Sequence, residues 1–357
     1  SVRAAIGDLD FDVVVDWIAF GPEHVQSDID LFRHRTGQYV LISSASVYQT
    51  PPAVLPVTED TPLENPFWEY SRKKAACEAV LVGRAWVPGD PPGPSVVALR
   101  GDEVVDLSRV APTMSALLDV LACPRCDQRL MRSREGYCCG ACNVDFPDLG
   151  SLPWLLSEPA ASRAEWRQRF GLLVRRLEHE LAELEHALAR PDLLARTRER
   201  LERLKDAKQA HGRRLGALLA PLLASAPPAR YETYLALRTR LPPEQGIATY
   251  YGHVHRDWCW GAEENDAALR LVAAAFADAP NDATLVLGAG AGRLAYDLHR
   301  QHPQALTLAV DMNPFLLLVG ERVSRGESLE LHEFPLAPRT GADLAPLRRL
   351  EAPAPAG

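Results

Sequence analysis

Three stretches of the sequence combine residue types and spacings that suit chemistry. One holds paired cysteines that could bind a metal. Another holds a tyrosine and a lysine suited to proton transfer, and a third is a glycine turn suited to a nucleotide-like ligand. The candidate residues are Cys123, Cys126, Cys139 and Cys142 for the metal; Ser44, Tyr70 and Lys74 for catalysis; and Gly288, Gly290, Gly292, Asp311, Arg256 and Trp258 for a cofactor.

The cysteines form two CxxC pairs, Cys123/Cys126 and Cys139/Cys142. Each such knuckle directs two thiolates at one tetrahedral ion, so two matched pairs predict a zinc site. Four thiolates fill the coordination shell, which predicts a structural role. Cys138 breaks the spacing and is left out of the predicted site. Redox-active or free thiols are the alternatives. We expect residues 119–157 to form a zinc ribbon.

Tyr70 and Lys74 lie four residues apart, on one face of a predicted helix. A lysine ammonium beside a tyrosine would lower the pKa of the phenol, which suits proton transfer in hydride chemistry. Ser44, just after a predicted strand over Tyr39–Ser43, could hold the substrate oxygen. With this pattern, residues 1–84 resemble the extended short-chain dehydrogenase/reductase family, which includes NAD-dependent epimerases and dehydratases.

That resemblance implies Ser44, Tyr70 and Lys74 as a catalytic triad and NAD(P) as the cofactor. No glycine-rich dinucleotide turn accompanies the first predicted strand, Phe11–Asp16, so an inactive remnant of the family is the alternative. Residues 85–118 resemble the N-terminal segment of fumarylacetoacetate hydrolase family proteins. We interpret Ser95–Leu107 as a β-hairpin and expect a short β-rich unit without chemistry.

The alternating glycines Gly288, Gly290 and Gly292 follow a predicted strand and precede a predicted helix. Glycine lets the backbone turn sharply and approach a ligand closely, and the helix presents its N-terminus to that ligand. Asp311 follows the next predicted strand, where a carboxylate can accept hydrogen bonds from a ribose. One nucleotide-like ligand across two adjacent strand ends would explain the whole pattern.

Residues 118–357 resemble class I S-adenosylmethionine-dependent methyltransferases with a zinc ribbon, and the nearest subgroup is that of carnosine N-methyltransferase. The similarity rests on the ribbon, on the segment Arg256-Asp257-Trp258 and on the GxGxG turn. It implies that the three glycines hold the methionine part of the cofactor, that Asp311 binds its ribose, and that Arg256 and Trp258 flank the site. The alternative for the aromatic segment around Arg256-Asp257-Trp258 is that its rings pack at the edge of the core.

Between the ribbon and the glycine turn, leucines recur at helical spacing on both sides of Pro191-Asp192. Residues 160–225 are therefore predicted to form an antiparallel helical hairpin. Its apolar face would pack within the chain or mediate self-association, and a lid or partner-docking arm is the alternative. Homo-oligomerisation through this hairpin is the partnership that we expect.

The expected fold class is α/β, with partial Rossmann-like units in residues 1–84 and 226–357 and with the ribbon and hairpin between them. The second unit shows three predicted strands, Thr284–Leu287, Thr307–Val310 and Ser328–Glu333. This is fewer than its family's domain has, so we expect a C-terminally truncated methyltransferase within a composite or misassembled reading frame.

Composition narrows the function further. The chain has 357 residues and a net charge of -8, which argues against a general binder of nucleic acids or membrane surfaces. No apolar run approaches the ~20 residues of a membrane span, and the first residues lack the apolar core of a signal peptide. We expect a cytoplasmic protein that acts on a small molecule. The hypotheses are methyl transfer to a nucleophile such as an amine, NAD(P)-dependent reduction or epimerisation, and a non-catalytic interaction module.

Overall fold

The computed structural model describes residues 9–53, 61–83, 95–99, 121–223, 246–275, 283–303 and 305–353, together with Ile6 and Val57. Helices and sheets alternate in an α/β architecture around one five-stranded parallel sheet. The order of strands in this sheet is β3-β2-β1-β8-β9. The strands span Phe11–Asp16 (β1), Thr36–Ile42 (β2), Ser95–Leu99 (β3), Ala283–Leu287 (β8) and Leu306–Val310 (β9).

The central pairing of the sheet joins β1 to β8, with Val13 opposite Thr284 and Asp16 opposite Leu287. Helix α1, Pro22–Phe32, connects β1 to β2, and helix α8, Arg293–Gln301, connects β8 to β9. The chain therefore leaves the two central strands toward opposite edges of the sheet. The two terminal segments, which the sequence suggests are separate units, share a single sheet.

Apolar side chains on both faces of the sheet explain why its strands are buried. Successive side chains of a strand point to opposite faces, so Val14 and Val15 enter different cores. One core lies under α1 and α2 (Glu69–Gly83), and the other lies under α7 (Ala262–Ala275) and α8. Both cores combine residues of β1 and β8, which binds the two terminal segments together.

The segment predicted as a β-hairpin contributes β3 to the same sheet. Ser95 lies opposite Gln38 of β2, and the two strands are parallel. The remainder of that predicted hairpin, residues 100–107, lies outside the described residues.

A small antiparallel sheet forms the cysteine-containing unit. Its four strands span Met131–Arg132 (β4), Gly136–Cys139 (β5), Val144–Leu149 (β6) and Leu152–Pro153 (β7). Leu149 and Trp154 at its far end are buried against the helices that follow, so the unit packs on the rest of the molecule.

Two long helices follow, α3 (Pro159–Leu188) and α4 (Ala195–Leu218), with the short α5 (Ala220–Leu223) after them. They pack side by side, and Lys208 of α4 pairs with Glu180 of α3 at 2.5 Å. The base of this hairpin docks on the C-terminal segment, where Leu215 and Leu218 share its core. Within the described residues, no helix is both long and apolar enough to cross a membrane.

The predicted third strand of the methyltransferase-like unit does form, but it lies outside the parallel sheet. Strand β10, Leu329–His332, pairs antiparallel with β11, Leu347–Leu350. The reason is packing: Leu331 and Leu350 are buried in the core shared by α4 and helix α9, Pro314–Ser324. This strand therefore does not join β8 and β9, and its predicted grouping with them is wrong.

Candidate metal centre and carboxyl-edge crevice

The predicted metal ligands meet at one point. The Sγ atoms of Cys123, Cys126, Cys139 and Cys142 all lie within 4.8 Å of one another. Each knuckle is followed by a residue with positive φ, Asp127 at 58° and Asn143 at 51°, which reverses the chain after the second thiol. The four thiols can therefore hold a metal ion such as zinc.

The surroundings of this centre favour a structural role. Leu121, Leu130 and Phe146 bury the cysteine pairs from one side. Cys138 lies outside the cluster, as its spacing predicts. In the described part of the chain, the four cysteines are the one group of three or more potential ligands close enough for a metal. Four cysteine ligands leave no open coordination position for catalysis.

A second candidate site lies at the carboxyl edge of the parallel sheet. Three parts of the chain lie there, each directly after a strand: residues 17–20 after β1, the turn 288–292 after β8, and Asp311 after β9. The chain departs from β1 and β8 in opposite directions, so this edge is a topological switch point of the sheet. Open α/β sheets bind their ligands at such a point. We call this region the carboxyl-edge crevice.

The glycine turn has the geometry that requires glycine. Gly288, Gly290 and Gly292 all have positive φ, at 67°, 59° and 81°. A Cβ atom on Gly288 would collide with Cγ2 of Ile18, so the turn and the loop after β1 touch. A Cβ atom on Gly290 would have no atom within 4 Å. The turn therefore packs tightly at its first glycine and is open at its second.

Asp311 reaches this turn. Its Oδ2 accepts a hydrogen bond from the Gly290 N–H at 2.8 Å, and its Oδ1 accepts one from the Asn313 N–H at 2.7 Å. Burial raises the pKa of Asp311, and these backbone donors oppose the rise. The carboxylate thus connects the turn to the start of α9, and the structure brings together the glycines and the acid that the sequence analysis selects.

Trp258 supports the glycine turn from inside the protein. It lies in a π-helical turn, Arg256–Trp260, after helix α6 (Tyr251–His255). Its indole is buried, and Nε1 donates to the carbonyl oxygen of Ala291 at 2.9 Å. Trp258 therefore packs in the core and holds the turn, in line with the alternative of a packed core edge, and its predicted place beside a ligand stays a prediction. The guanidinium of Arg256 forms ion pairs with the carboxylates of Asp257, at 2.8 Å, and Glu264, at 3.5 Å.

Ser44, Tyr70 and Lys74 lie beside the crevice, after β2 and at the start of α2. Lys74 is buried, and its Nζ donates to the carbonyl oxygen of Ile42 at 2.8 Å. Burial raises the pKa of Tyr70, although a hydrogen bond with Ser44 opposes the rise. The predicted lowering of this pKa by Lys74 is therefore wrong, because the ammonium binds a backbone carbonyl instead.

A buried acidic network that was not predicted from the sequence lies under the loop after β1. Oδ1 of Asp16 accepts hydrogen bonds from the N–H groups of Ile18 and Ala19, at 2.8 and 3.1 Å. Its Oδ2 accepts one from the Tyr39 hydroxyl at 2.6 Å. Burial, followed by the charge of Asp16, raises the pKa of Asp28 to about 8. The polar end of an otherwise apolar strand is the signal that could have revealed Asp16.

A cleft of about 720 Å³ continues along the same edge, between the ends of β1 and β2 and helix α7. Trp17, Ser43 and Ser44 line one side, and Glu263 and Asp266 line the other. Its volume falls in the range of small-molecule sites.

No model of a known protein family matches this chain, and no curated protein matches its sequence. The interpretation of the site therefore depends on its geometry and on the chemistry of its residues.

Proposed function

We propose that the protein binds S-adenosylmethionine in the carboxyl-edge crevice and transfers its methyl group to a small-molecule nucleophile, with an amine among the candidates. The observation that carries this proposal is the glycine turn. Its three glycines have positive φ, a Cβ on its middle glycine would meet no neighbouring atom, and Asp311 accepts a hydrogen bond from it. S-adenosylmethionine would supply the electrophilic methyl group on a sulfonium.

The roles of the protein's own groups follow from this geometry. The open face at Gly290 admits the methionine part, and the carboxylate of Asp311 accepts hydrogen bonds from the ribose. Trp258 fixes the turn through Ala291. The protein contributes by holding the methyl donor and the acceptor in line, because a fixed geometry removes much of the entropic barrier to their reaction. A Rossmann-like sheet built from both terminal segments would supply the two walls of the site.

Zinc is the metal that we propose for the four cysteines, because tetrahedral Cys₄ sites favour it. Its role would be to fold the ribbon that packs against the helical hairpin. We also propose self-association through the tip of this hairpin. Leu194 at the tip is 76% exposed, whereas the base of the hairpin packs within the chain.

One observation favours a second candidate, an NAD(P)-dependent reductase or epimerase. Ser44 and Tyr70 interact with each other at the same edge of the sheet as the glycine turn. Against it stand the raised pKa of Tyr70 and the engagement of Lys74 with Ile42. We therefore place methyl transfer first. A non-catalytic zinc-ribbon module is the third candidate.

Calorimetric titration with S-adenosylhomocysteine and with NADH tests these candidates. We expect the first ligand to bind and Gly290→Ala to weaken it at least tenfold. The new methyl group would project into the open space where the ligand lies. Asp311→Ala should also abolish binding, because the ribose loses its acceptor.

Gly326→Ala is the matched control. Gly326 has φ 88°, also has no atom within 4 Å of an added Cβ, and follows the far end of α9. Both variants impose a left-handed alanine, at about 1–2 kcal/mol of stability, but only Gly290→Ala should lose the ligand. Equal losses would contradict the assignment. Binding of NADH alone would favour the reductase, and binding of neither ligand would favour the interaction module.

A further inference from the structure

Aromatic side chains gather beside the crevice, on the side of β1. The ring centroids of Trp68 and Tyr70 lie 4.9 Å apart, and those of Phe20 and Tyr70 lie 6.3 Å apart. All three belong to the N-terminal segment, and the proposed donor site uses none of them. We call these three residues the aromatic platform.

The platform is open to solvent. Trp68 is 55% exposed, and Phe20 is also among the exposed large apolar side chains of the described residues. Tryptophan and phenylalanine normally bury most of their rings. A cluster of exposed rings therefore indicates a surface that a ligand covers.

Hydrogen bonds hold the segments that carry the rings. Asp16 fixes the loop that carries Phe20 through two backbone N–H groups. On the other side, Ser46 accepts a hydrogen bond from the Asn65 side chain on its carbonyl oxygen and another from the Ser71 hydroxyl on its Oγ, each at 2.8 Å. These contacts clamp the chain on both sides of Trp68. A surface that is ordered before binding loses less entropy when a ligand arrives.

The position of the platform follows from the order of the strand ends. Asp311 ends β9, the glycine turn ends β8, and the loop with Phe20 follows β1, which is the next strand along the edge. A donor with its ribose at Asp311 and its methionine part at the turn would have its sulfonium methyl between them and would direct its amino-acid end toward β1. Ile18, which touches Gly288, lies two residues before Phe20.

We propose that the aromatic platform is the acceptor subsite of the crevice and that it binds a small molecule with a planar aromatic ring. This inference rests on the proposed function for the location of the donor. A planar ring can stack in offset or edge-to-face geometry on Trp68 and Phe20, and such contacts change affinity by about 2- to 10-fold for each aromatic pair. A saturated ring of the same size lacks the π face that these contacts require.

The test uses the full chain with p-cresol and with its saturated counterpart 4-methylcyclohexanol as probes, in calorimetric or NMR titrations. We expect p-cresol to bind at least fivefold more tightly. Trp68→Ala should weaken p-cresol about tenfold, and Trp68→Phe should restore most of that loss. Equal affinity for the two probes would overturn the proposal, and so would an unchanged affinity in Trp68→Ala.

Trp260→Ala is the matched control. Trp260 is 52% exposed, close to the value for Trp68, but its indole donates to Glu333 and lies outside the platform. This variant should keep the affinity for p-cresol, and a loss equal to that of Trp68→Ala would overturn the proposal.

Titration with S-adenosylhomocysteine separates the two levels of inference. Trp68→Ala should bind it as the parent chain does. A parent chain that binds p-cresol selectively but not S-adenosylhomocysteine would refute the proposed function and keep an aromatic site. A chain that binds S-adenosylhomocysteine but does not distinguish the two probes would refute the platform alone.

Discussion

The metal centre and the carboxyl-edge crevice differ in how their parts come together. All four cysteines fall between Cys123 and Cys142, and two knuckles bring them into contact. The crevice depends on contacts between distant segments, such as the hydrogen bond from the Trp17 N–H to the carbonyl oxygen of Leu287 at 3.2 Å. A site within one short segment can therefore be recognised in the sequence, whereas a site between distant segments requires the tertiary pairing.

The two sites should also differ in what stabilises them. A small ribbon buries little apolar surface, so an ion bound to its thiolates would supply most of its folding energy. The crevice has no such cross-link. Its walls are held by two apolar cores that β1 and β8 share.

The largest effect should come from removing one metal ligand. Cys123→Ser leaves three thiolates, and structural zinc contributes about 10–16 kcal/mol of apparent binding energy to small ribbons. We expect the variant to lose its ion and the ribbon to unfold. Atomic absorption should give about one zinc per parent chain and almost none in the variant.

Cys138→Ser provides the control, because Cys138 adjoins Cys139 but lies outside the cluster. It should keep its zinc. Full metal content in Cys123→Ser would show that the ribbon does not depend on these ligands, and the contrast between the two sites would disappear.

The junction of the terminal segments should respond next most strongly. Gly288→Ala places a methyl group against Ile18 at φ 67°. We expect a loss of about 2–4 kcal/mol in urea unfolding, from left-handed strain and overpacking together. Gly290→Ala, with similar φ and no neighbour, should show the strain alone.

A second substitution sharpens this result. Adding Ile18→Ala to Gly288→Ala removes the colliding Cγ2 and should recover the overpacking part of the loss. If the double variant recovers nothing, the loop after β1 does not meet the glycine turn, and the assembled crevice is refuted.

The smallest effect should be a loss of stability in acid. His255 and His211 are 0% and 5% exposed where α6, α4 and β10 meet. Burial lowers the pKa of each to about 4, below the ordinary value of about 6.5. The contribution of the two neutral histidines to the free energy of unfolding is therefore complete above pH 6.5 and is lost as the pH falls toward 4. At pH 5 we expect a loss of about 1–2 kcal/mol for each histidine.

His255→Leu should reduce this acid sensitivity, measured as the difference in urea unfolding between pH 7 and pH 5. His179→Leu is the control, because His179 lies on the solvent-facing side of α3 and its side chain is 75% exposed. A His255→Leu variant with the pH dependence of the parent chain would contradict the assignment.

Much of the local structure follows from the sequence. The strand predicted over Phe11–Asp16 forms over those residues, and the two long helices form on both sides of Pro191-Asp192. The cysteine knuckles and the left-handed glycines are also readable, because ligand spacing and backbone sterics act within a few residues. These features decide which chemistry each segment can offer.

Only the tertiary structure decides how the segments combine. Several apolar strands could have paired with β8, and it is the burial of both faces that selects β1. A YxxxK spacing places Tyr70 and Lys74 on one helix face, but the packed structure directs the ammonium to the Ile42 carbonyl. Likewise, an indole near a glycine turn has no fixed role until packing buries Trp258 beneath Ala291. Local sterics act between neighbours along the chain, whereas side-chain partners depend on which surfaces the folded core excludes from water.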